Sequence, residues 1–213
     1  FIVLILAKER TLRMHKTAAL TDPLTGLFNR RGLIEAAREL TGKHARRTRP
    51  LAVLVFDLDN FKTINDRFGH AVGDDVLKLF AALASGSMRT SDFVARLGGE
   101  EFAVIIRGTL DEGIAVAERL RVAFEDAART VSGRYVGATV SAGVAAHAGT
   151  TNINALIARA DVALYAAKAA GRNRVEAETA RDVPPAPDER PPSGDTVAWT
   201  SHRRPGGDRH AAA

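Results

Sequence analysis

The chain has 213 residues, 46% hydrophobic and 26% charged, enough for one domain of ordinary size with flanking segments. It contains no cysteine, which excludes disulfides, zinc–thiolate sites and thiol catalysis. A net charge of +5 would suit nucleic acid, but no run of Lys and Arg interleaved with aromatic residues is present, so nucleic acid is not an expected partner.

Phe1–Ala7 is wholly apolar, and Lys8, Arg10 and Arg13 follow it. Such a stretch is too short to cross a bilayer, which takes about 20 residues. The chain opens on Phe rather than Met, so the stretch reads as the cytoplasmic end of a transmembrane helix with a positive-inside flank. The alternative is the apolar end of a soluble helix or strand. Residues 8–20 read as a helical connector. Asp22-Pro23 breaks that pattern, because the residue before proline avoids the helical region. Thr25-Gly26-Leu27 reads as a turn, and Asn29 as the cap of a helix over 30–47.

Leu51–Phe56 is a continuous apolar run suited to a central buried strand, and it ends in Asp57-Leu58-Asp59. A short irregular or helical segment over 60–70 precedes a helix marked by Val72, Val76, Phe80 and Leu83. A strand over 92–96 leads into Gly98-Gly99, and Phe102–Ile106 returns as its hairpin partner, with Glu100 and Glu101 at or just past the tip. A helix over 111–129, a strand over 136–144, a helix from Ile153 to Gly171 and a short strand at Val175 complete the pattern. Beyond residue 180 lie six of the eight prolines and almost no large apolar residues, which reads as a disordered tail. The expected organisation is a membrane-end and signalling connector over 1–20, a domain over 21–176 and a Pro-rich tail over 177–213. Alternating strands and helices with one hairpin give an α/β fold, a mixed sheet flanked by helices.

The chemistry concentrates in a few places. Asp57 and Asp59 stand at the carboxyl end of a buried strand, where ligands bind in open α/β sheets. Two carboxylates so close repel unless a cation or proton sits between them. Glu100 and Glu101 follow two glycines, which let backbone approach a bulky ligand closely. Such hard oxygen donors suit Mg²⁺ shared with substrate phosphates. Lys62, Lys168 and Arg172 are candidate phosphate partners, the last two four residues apart on one helical face. Asn65 and Asp74 have the donor and acceptor groups to read a guanine edge.

With these residues in place, the chain over about 20–175 resembles the GGDEF domain of bacterial diguanylate cyclases. The resemblance rests on ordered blocks: Asp22–Arg30, Phe56–Asp66, Gly69-His70 with Gly73-Asp74, Arg96–Phe102, Ser141–Val144, and Ala160–Lys168 with Gly171–Asn173. It implies a nucleotidyl-cyclase, polymerase-palm-like fold and the condensation of two GTP into cyclic di-GMP with release of two pyrophosphates. By the same resemblance, Asp57, the Leu58 carbonyl, Glu100 and Glu101 hold Mg²⁺, with Mn²⁺ as a substitute. Asp59 sits in the acidic pocket. Asn65 and Asp74 recognise guanine, with His70, Gly98 and Gly99 also at the substrate. Lys62, Lys168 and Arg172 contact phosphates. Arg89-Thr-Ser-Asp92 matches an RxxD motif at which Arg89 and Asp92 bind cyclic di-GMP as an inhibitory product.

The resemblance further implies that each domain holds one GTP and half an active site, so that a homodimer is required. Glu100 or Glu101 assists removal of the attacking proton; the sequence does not choose between them. The connector is expected to set dimer geometry and to carry a signal from an N-terminal sensor or membrane region, with the domain cytoplasmic and attached to the inner membrane. The rival readings are a catalytically silent receptor of GTP or cyclic di-GMP, a cyclase of other purines, and a pure dimerisation module. The last has no need of this set of acids, glycines and bases.

Overall fold

The computed structural model describes residues 20–41, 50–147 and 152–179. The expected membrane-end segment, the connector up to residue 19, the last turns of the helix over 30–47 and the tail from residue 180 lie outside the described residues. Among the described residues, no helix is long and apolar enough to cross a membrane.

In chain order the elements are β1 (Phe28–Asn29), α1 (Arg30–Thr41), β2 (Leu51–Leu58), α2 (Phe61–Phe68), α3 (His70–Ser87), β3 (Phe93–Gly98) and β4 (Glu101–Arg107). They continue as α4 (Leu110–Ala127), β5 (Thr130–Val131), β6 (Arg134–Tyr135), β7 (Val140–His147), α5 (Ile153–Ala169) and β8 (Val175–Ala177). Six strands form one mixed sheet in the order β1-β3-β4-β2-β7-β8, and β5 pairs with β6 as a separate hairpin. The central four strands are antiparallel, and the two outer ones, β1 and β8, add in parallel. The mixed sheet flanked by helices expected from the sequence is the architecture found.

β2 lies at the centre, between β4 and β7, and all eight of its residues are buried. Strand alternation sorts its side chains onto two cores. Leu54, Phe56 and Leu58 pack with Phe102, Val104, Phe80 and Phe124 beneath α3 and α4. Leu51, Val53 and Val55 pack with Ala103, Ile105, Leu33 and Leu156 beneath α1 and α5. Phe80 is the hub of the first core, with ring centroids 5.4 Å from Phe56, 4.6 Å from Phe102 and 5.3 Å from Phe124. The second core needs a very close approach: a Cβ on Gly143 of β7 would stand 2.0 Å from the Ala160 carbonyl oxygen and 2.2 Å from the Leu164 nitrogen. Only glycine lets α5 lie this near the sheet.

The helix starts follow capping chemistry. Asn29 Oδ1 accepts from the Gly32 N–H at 2.9 Å, as the sequence led us to expect. Thr109 and Glu112 form a reciprocal capping box at the head of α4. Two expectations are corrected. The strand expected over 136–144 begins only at Val140, because Gly137 (φ 66°) bends the chain and bonds back to the Ala128 and Arg129 carbonyls. Before it comes the β5–β6 hairpin, turned by Ser132 and Gly133 at positive φ. The folded part also runs past the expected end at 176: Ala177 closes β8, and the nearly buried Glu178 carboxylate pairs with Arg159 and accepts the Ala146 N–H at 2.7 Å.

One strut joins the first motif to the glycine turn. Arg96 on β3 donates to the Gly99 carbonyl through Nε at 2.9 Å and Nη2 at 2.6 Å. Its Nη1 meets both Asp22 oxygens at 3.2 Å. Asp22 also accepts from Thr25 N at 2.9 Å and Thr25 Oγ1 at 2.7 Å. Burial alone would raise the Asp22 carboxyl, but the Thr25 and Arg96 bonds outweigh it and hold it below its ordinary value.

Two predictions follow from this packing. Gly143→Ala should destabilise the fold by about 3 kcal/mol or more, because backbone rather than a side-chain tip must yield; urea denaturation reads the loss. The depressed Asp22 carboxyl stabilises the fold above its unfolded value of about 3.9, and that contribution disappears as pH falls through the lower folded value. Asp22→Asn should therefore flatten the acid limb of the stability curve, measured by denaturation from about pH 6 down to about pH 3.

Candidate active site

The site forms where β2 ends and the β3–β4 turn begins. Gly98 (φ 154°) and Gly99 (φ 50°) make that turn at a register shift in the hairpin, and Glu100 leads into β4. Asp57 and Glu101 are direct cross-strand partners, and the Leu58 N–H reaches the Glu100 carbonyl at 3.3 Å. Alternation along β2 and β4 puts Asp57 and Glu101 on the face covered by α1 and α5, continuing the rows Val53–Val55 and Ile105–Ala103.

α5 delivers the counter-charge. Lys168, in its last turn, places Nζ 2.8 Å from Asp57 Oδ2. Burial pushes the Asp57 carboxyl up, against the pull of the Lys168 ammonium. Glu101 is also raised, first by burial and then by the charges of Asp57 and Asp161, with Lys168 opposing. Asp161 is itself raised by burial, against Arg30 and Lys168. Lys168 thus pairs directly with Asp57 and offsets the charges of Glu101 and Asp161 through space. Asp161 was missing from the sequence-derived site. Its signal was legible: it stands two helical turns before Lys168, on the same face of α5.

Asp59 belongs to a different arrangement. Its oxygens accept from Thr139 Oγ1 at 2.7 Å, Ser141 Oγ at 2.7 Å and the Asn173 N–H at 3.1 Å. With three donors already on it, Asp59 acts as a structural tie between β2, β7 and the loop after α5. That loop carries Arg172 (φ 63°) and Asn173 (φ 47°) in left-handed backbone. The Asn173 side chain binds Glu125 at 2.9 Å and Arg121 at 2.8 Å, which fixes the exposed Arg172 beside the acidic group. Asn173 and Arg121 were not singled out from the sequence, because a bond between residues 52 apart has no local signature.

The remaining candidates lie on two other surfaces. Lys62 and Asn65 are on α2, and His70 and Asp74 on α3, across an elbow made by Gly69 (φ 86°). A Cβ on Gly73 would come within 1.9 Å of Asn65 Oδ1, so Gly73 makes room for the Asn65 amide beside Asp74. Lys62, His70 and Asp74 are exposed and Asn65 is half-buried. Arg89 and Asp92 form a turn before β3 in which Asp92 Oδ2 accepts the Arg89 N–H at 2.9 Å. They line a cavity of about 210 Å³ shared with Arg107 and Arg119, two further cations that sequence spacing did not reveal.

Among the described residues, no three carboxylate or imidazole groups converge as a ready-made cation cage. The donor chemistry nonetheless fits a hard cation: Asp57 at the strand end already takes the Lys168 ammonium, and the Glu101 carboxylate stands opposite it in the register.

Residues 19–174 match the family described as diguanylate cyclase, GGDEF domain. The chain is 44% identical over 166 residues to diguanylate cyclase DgcP of Pseudomonas aeruginosa, covering 78% of this chain and 25% of that protein. It is 42% identical to the response regulator PleD of Caulobacter vibrioides, covering 76% and 37%. The chain thus spans between a quarter and two-fifths of the length of these curated relatives. Among solved structures it resembles the coiled coil and GGDEF domain of DgcB from Caulobacter crescentus in complex with c-di-GMP. The TM-score there is 0.73 at 31% identity, covering 83% of this chain and 94% of that one. It also resembles the active GGEEF domain of a diguanylate cyclase from Vibrio cholerae, with a TM-score of 0.62 at 34% identity over 71% of this chain and 97% of that one. With the family matched over most of its length and the acidic turn set against the strand-end aspartate, the chain belongs to the GGDEF-domain family of diguanylate cyclases.

Proposed function

We propose that this domain is one half of a Mg²⁺-dependent diguanylate cyclase, which joins two GTP into cyclic di-GMP and releases two pyrophosphates. The observation that carries this reading is the register that sets Asp57 opposite Glu101, with Lys168 on Asp57. A site that only bound a finished ligand would not need buried carboxylates whose charges repel one another. That weighs against the silent-receptor alternative.

In this reading Asp57, the Leu58 carbonyl, Glu100 and Glu101 would hold Mg²⁺, or Mn²⁺ in its place. The cation would supply charge stabilisation at the α-phosphate and lower the pKa of the attacking hydroxyl. Asn65 and Asp74 offer hydrogen-bonding partners to a guanine edge, with His70 alongside. Lys62, Lys168 and Arg172 present positive charge to the phosphates. Gly98 and Gly99 leave the backbone bare where the nucleotide would lie. The 3′-oxygen of each GTP attacks the α-phosphorus of the other, the α–β phosphoanhydride bond breaks, and pyrophosphate leaves. A glutamate of the turn, Glu100 or Glu101, would take the hydroxyl proton. Two domains must face each other for the ring to close, so the working unit is a homodimer. Positioning supplies much of the acceleration.

Arg89 and Asp92, with Arg107 and Arg119 beside them, would take cyclic di-GMP as an inhibitor, since guanidinium groups suit phosphate and base edges. A GTP substrate would suit a domain on the cytoplasmic side. Phe1–Ala7 and its basic flank would join it to the inner membrane and to an upstream sensor.

Purified protein, verified as a dimer, should convert GTP and Mg²⁺ to cyclic di-GMP on nucleotide chromatography; absence of product from a verified dimer would sink the reading. Glu101→Gln should cut turnover by about a hundredfold or more while leaving the melting temperature near normal. Arg89→Ala should leave the initial rate near normal but let product accumulate well past the level at which the native enzyme stalls. Progress curves with and without added cyclic di-GMP would read this.

A further inference from the structure

The contact to explain is the ion pair between Lys168 and Asp57. The Lys168 Nζ lies 2.8 Å from Asp57 Oδ2, and its side chain is about two-thirds covered, with 33% exposed. The same ammonium offsets the charges of Glu101 and Asp161. Asp57 is the carboxylate on which a cation in this site would rest, and among the described residues its only ion-paired partner is Lys168.

Resting on the cyclase reading of the site, we propose that Lys168 is a built-in counter-ion: it occupies Asp57 in the empty domain and leaves it only when a nucleotide phosphate receives the ammonium. Cation and nucleotide then bind cooperatively. A divalent cation arriving alone must displace Lys168 from Asp57, leaving the ammonium among fewer partners. A cation arriving with a triphosphate releases Lys168 to an acceptor of the same sign as the one it lost.

The geometry permits the exchange. Lys168 lies in the last turn of α5, one residue before the helix ends, while the helix backbone is fixed on Gly143 by close packing. Only the flexible four-carbon stem has to move. A strongly hydrated point charge on such a stem suits transfer between oxygen ligands better than a bidentate guanidinium. Arg172 makes the contrast: it lies beside the same carboxylate and acts on it through charge alone, with no ion pair. Its backbone is held in a left-handed loop tied to Asp59 through Asn173.

Coupling of this kind is reciprocal. If nucleotide tightens the cation by some factor, the cation tightens nucleotide by the same factor, typically about 5- to 150-fold. It also keeps the domain from holding a cation without a nucleotide to work on.

The test is binding, not turnover. Mn²⁺ affinity is measured by electron paramagnetic resonance on the full chain, alone and with the α,β-methylene analogue of GTP, whose α–β link cannot be cleaved. Native protein, Lys168→Gln and Arg172→Gln are compared, with melting curves to establish that each is folded. The proposal expects Lys168→Gln to bind Mn²⁺ alone about tenfold more tightly than native protein and to gain about tenfold less from the analogue, whose triphosphate ligates the cation directly in both. It expects Arg172→Gln to change Mn²⁺ binding alone by much less. It is overturned if Lys168→Gln binds Mn²⁺ no better than native protein, if the analogue tightens Mn²⁺ equally in both, or if Arg172→Gln matches Lys168→Gln, which would mean a general charge effect. Failure of the cyclase reading is distinguishable: GTP with Mg²⁺ would give no cyclic dinucleotide, while the Mn²⁺ comparison would still separate the two variants.

Discussion

The pairing register of β2 with β4 is the constraint on which the site depends. Asp57 faces Glu101 only because Val55 faces Ala103 and Val53 faces Ile105 along the same pair of strands. A slip of one residue would send every side chain to the opposite face. What prevents it lies on the other side of the sheet, where Phe56, Phe102 and Phe124 all close on Phe80. Phe56 and Phe102 immediately flank the acidic pair in sequence, so the apolar core on one face sets the chemistry on the other. The aromatic hub accounts for the location of the carboxylates without touching them.

Gathering carboxylates at a strand end costs stability, and the molecule offsets that cost in two ways. Asp57, Glu101 and Asp161 are raised by burial, with Lys168 and Arg30 opposing. Asp59, only two residues from Asp57, is fully bonded to Thr139, Ser141 and Asn173. One is an open chemical group and the other a fixed tie. The difference comes from the end of β2: Asp57 still points out of the pleat, while Asp59 has left the strand and turned toward β7. Arg96 plays a comparable fixing role on the other side of the turn, joining the Gly99 carbonyl to Asp22.

Much of this was legible in the sequence, for physical reasons. A buried run such as Leu51–Phe56 and a Gly-Gly turn followed by acids are local signals, and they gave the central strand, the hairpin and the acidic pair. Helix periodicity gave α3, α4 and α5 to within a few residues. Less legible were features decided by distant partners. The bend at Gly137 is made by bonds to the Ala128 and Arg129 carbonyls, and a β-prone stretch hid it. The pairing of Glu178 with Arg159 kept the chain folded past the expected boundary, although the composition there already resembled the tail. The occupation of Asp57 by Lys168 joins residues 111 positions apart, and motif spacing speaks to membership in a site, not to which member bonds which.

The parts of the site differ in how freely they can move. Its backbone is held everywhere: β2 between two partners, the glycine turn by Arg96, the loop at Arg172 by Asn173, and α5 by its contact with Gly143. Rigid elements with close packing do not deform gradually. Changes within the domain on binding are therefore confined to side chains with freedom left: the turn glutamates, the exposed Lys62 and Arg172, and the stem of Lys168. That division would suit the proposed reaction between two domains: with each half keeping its shape, a shift in their mutual placement would reach the reacting atoms undiminished.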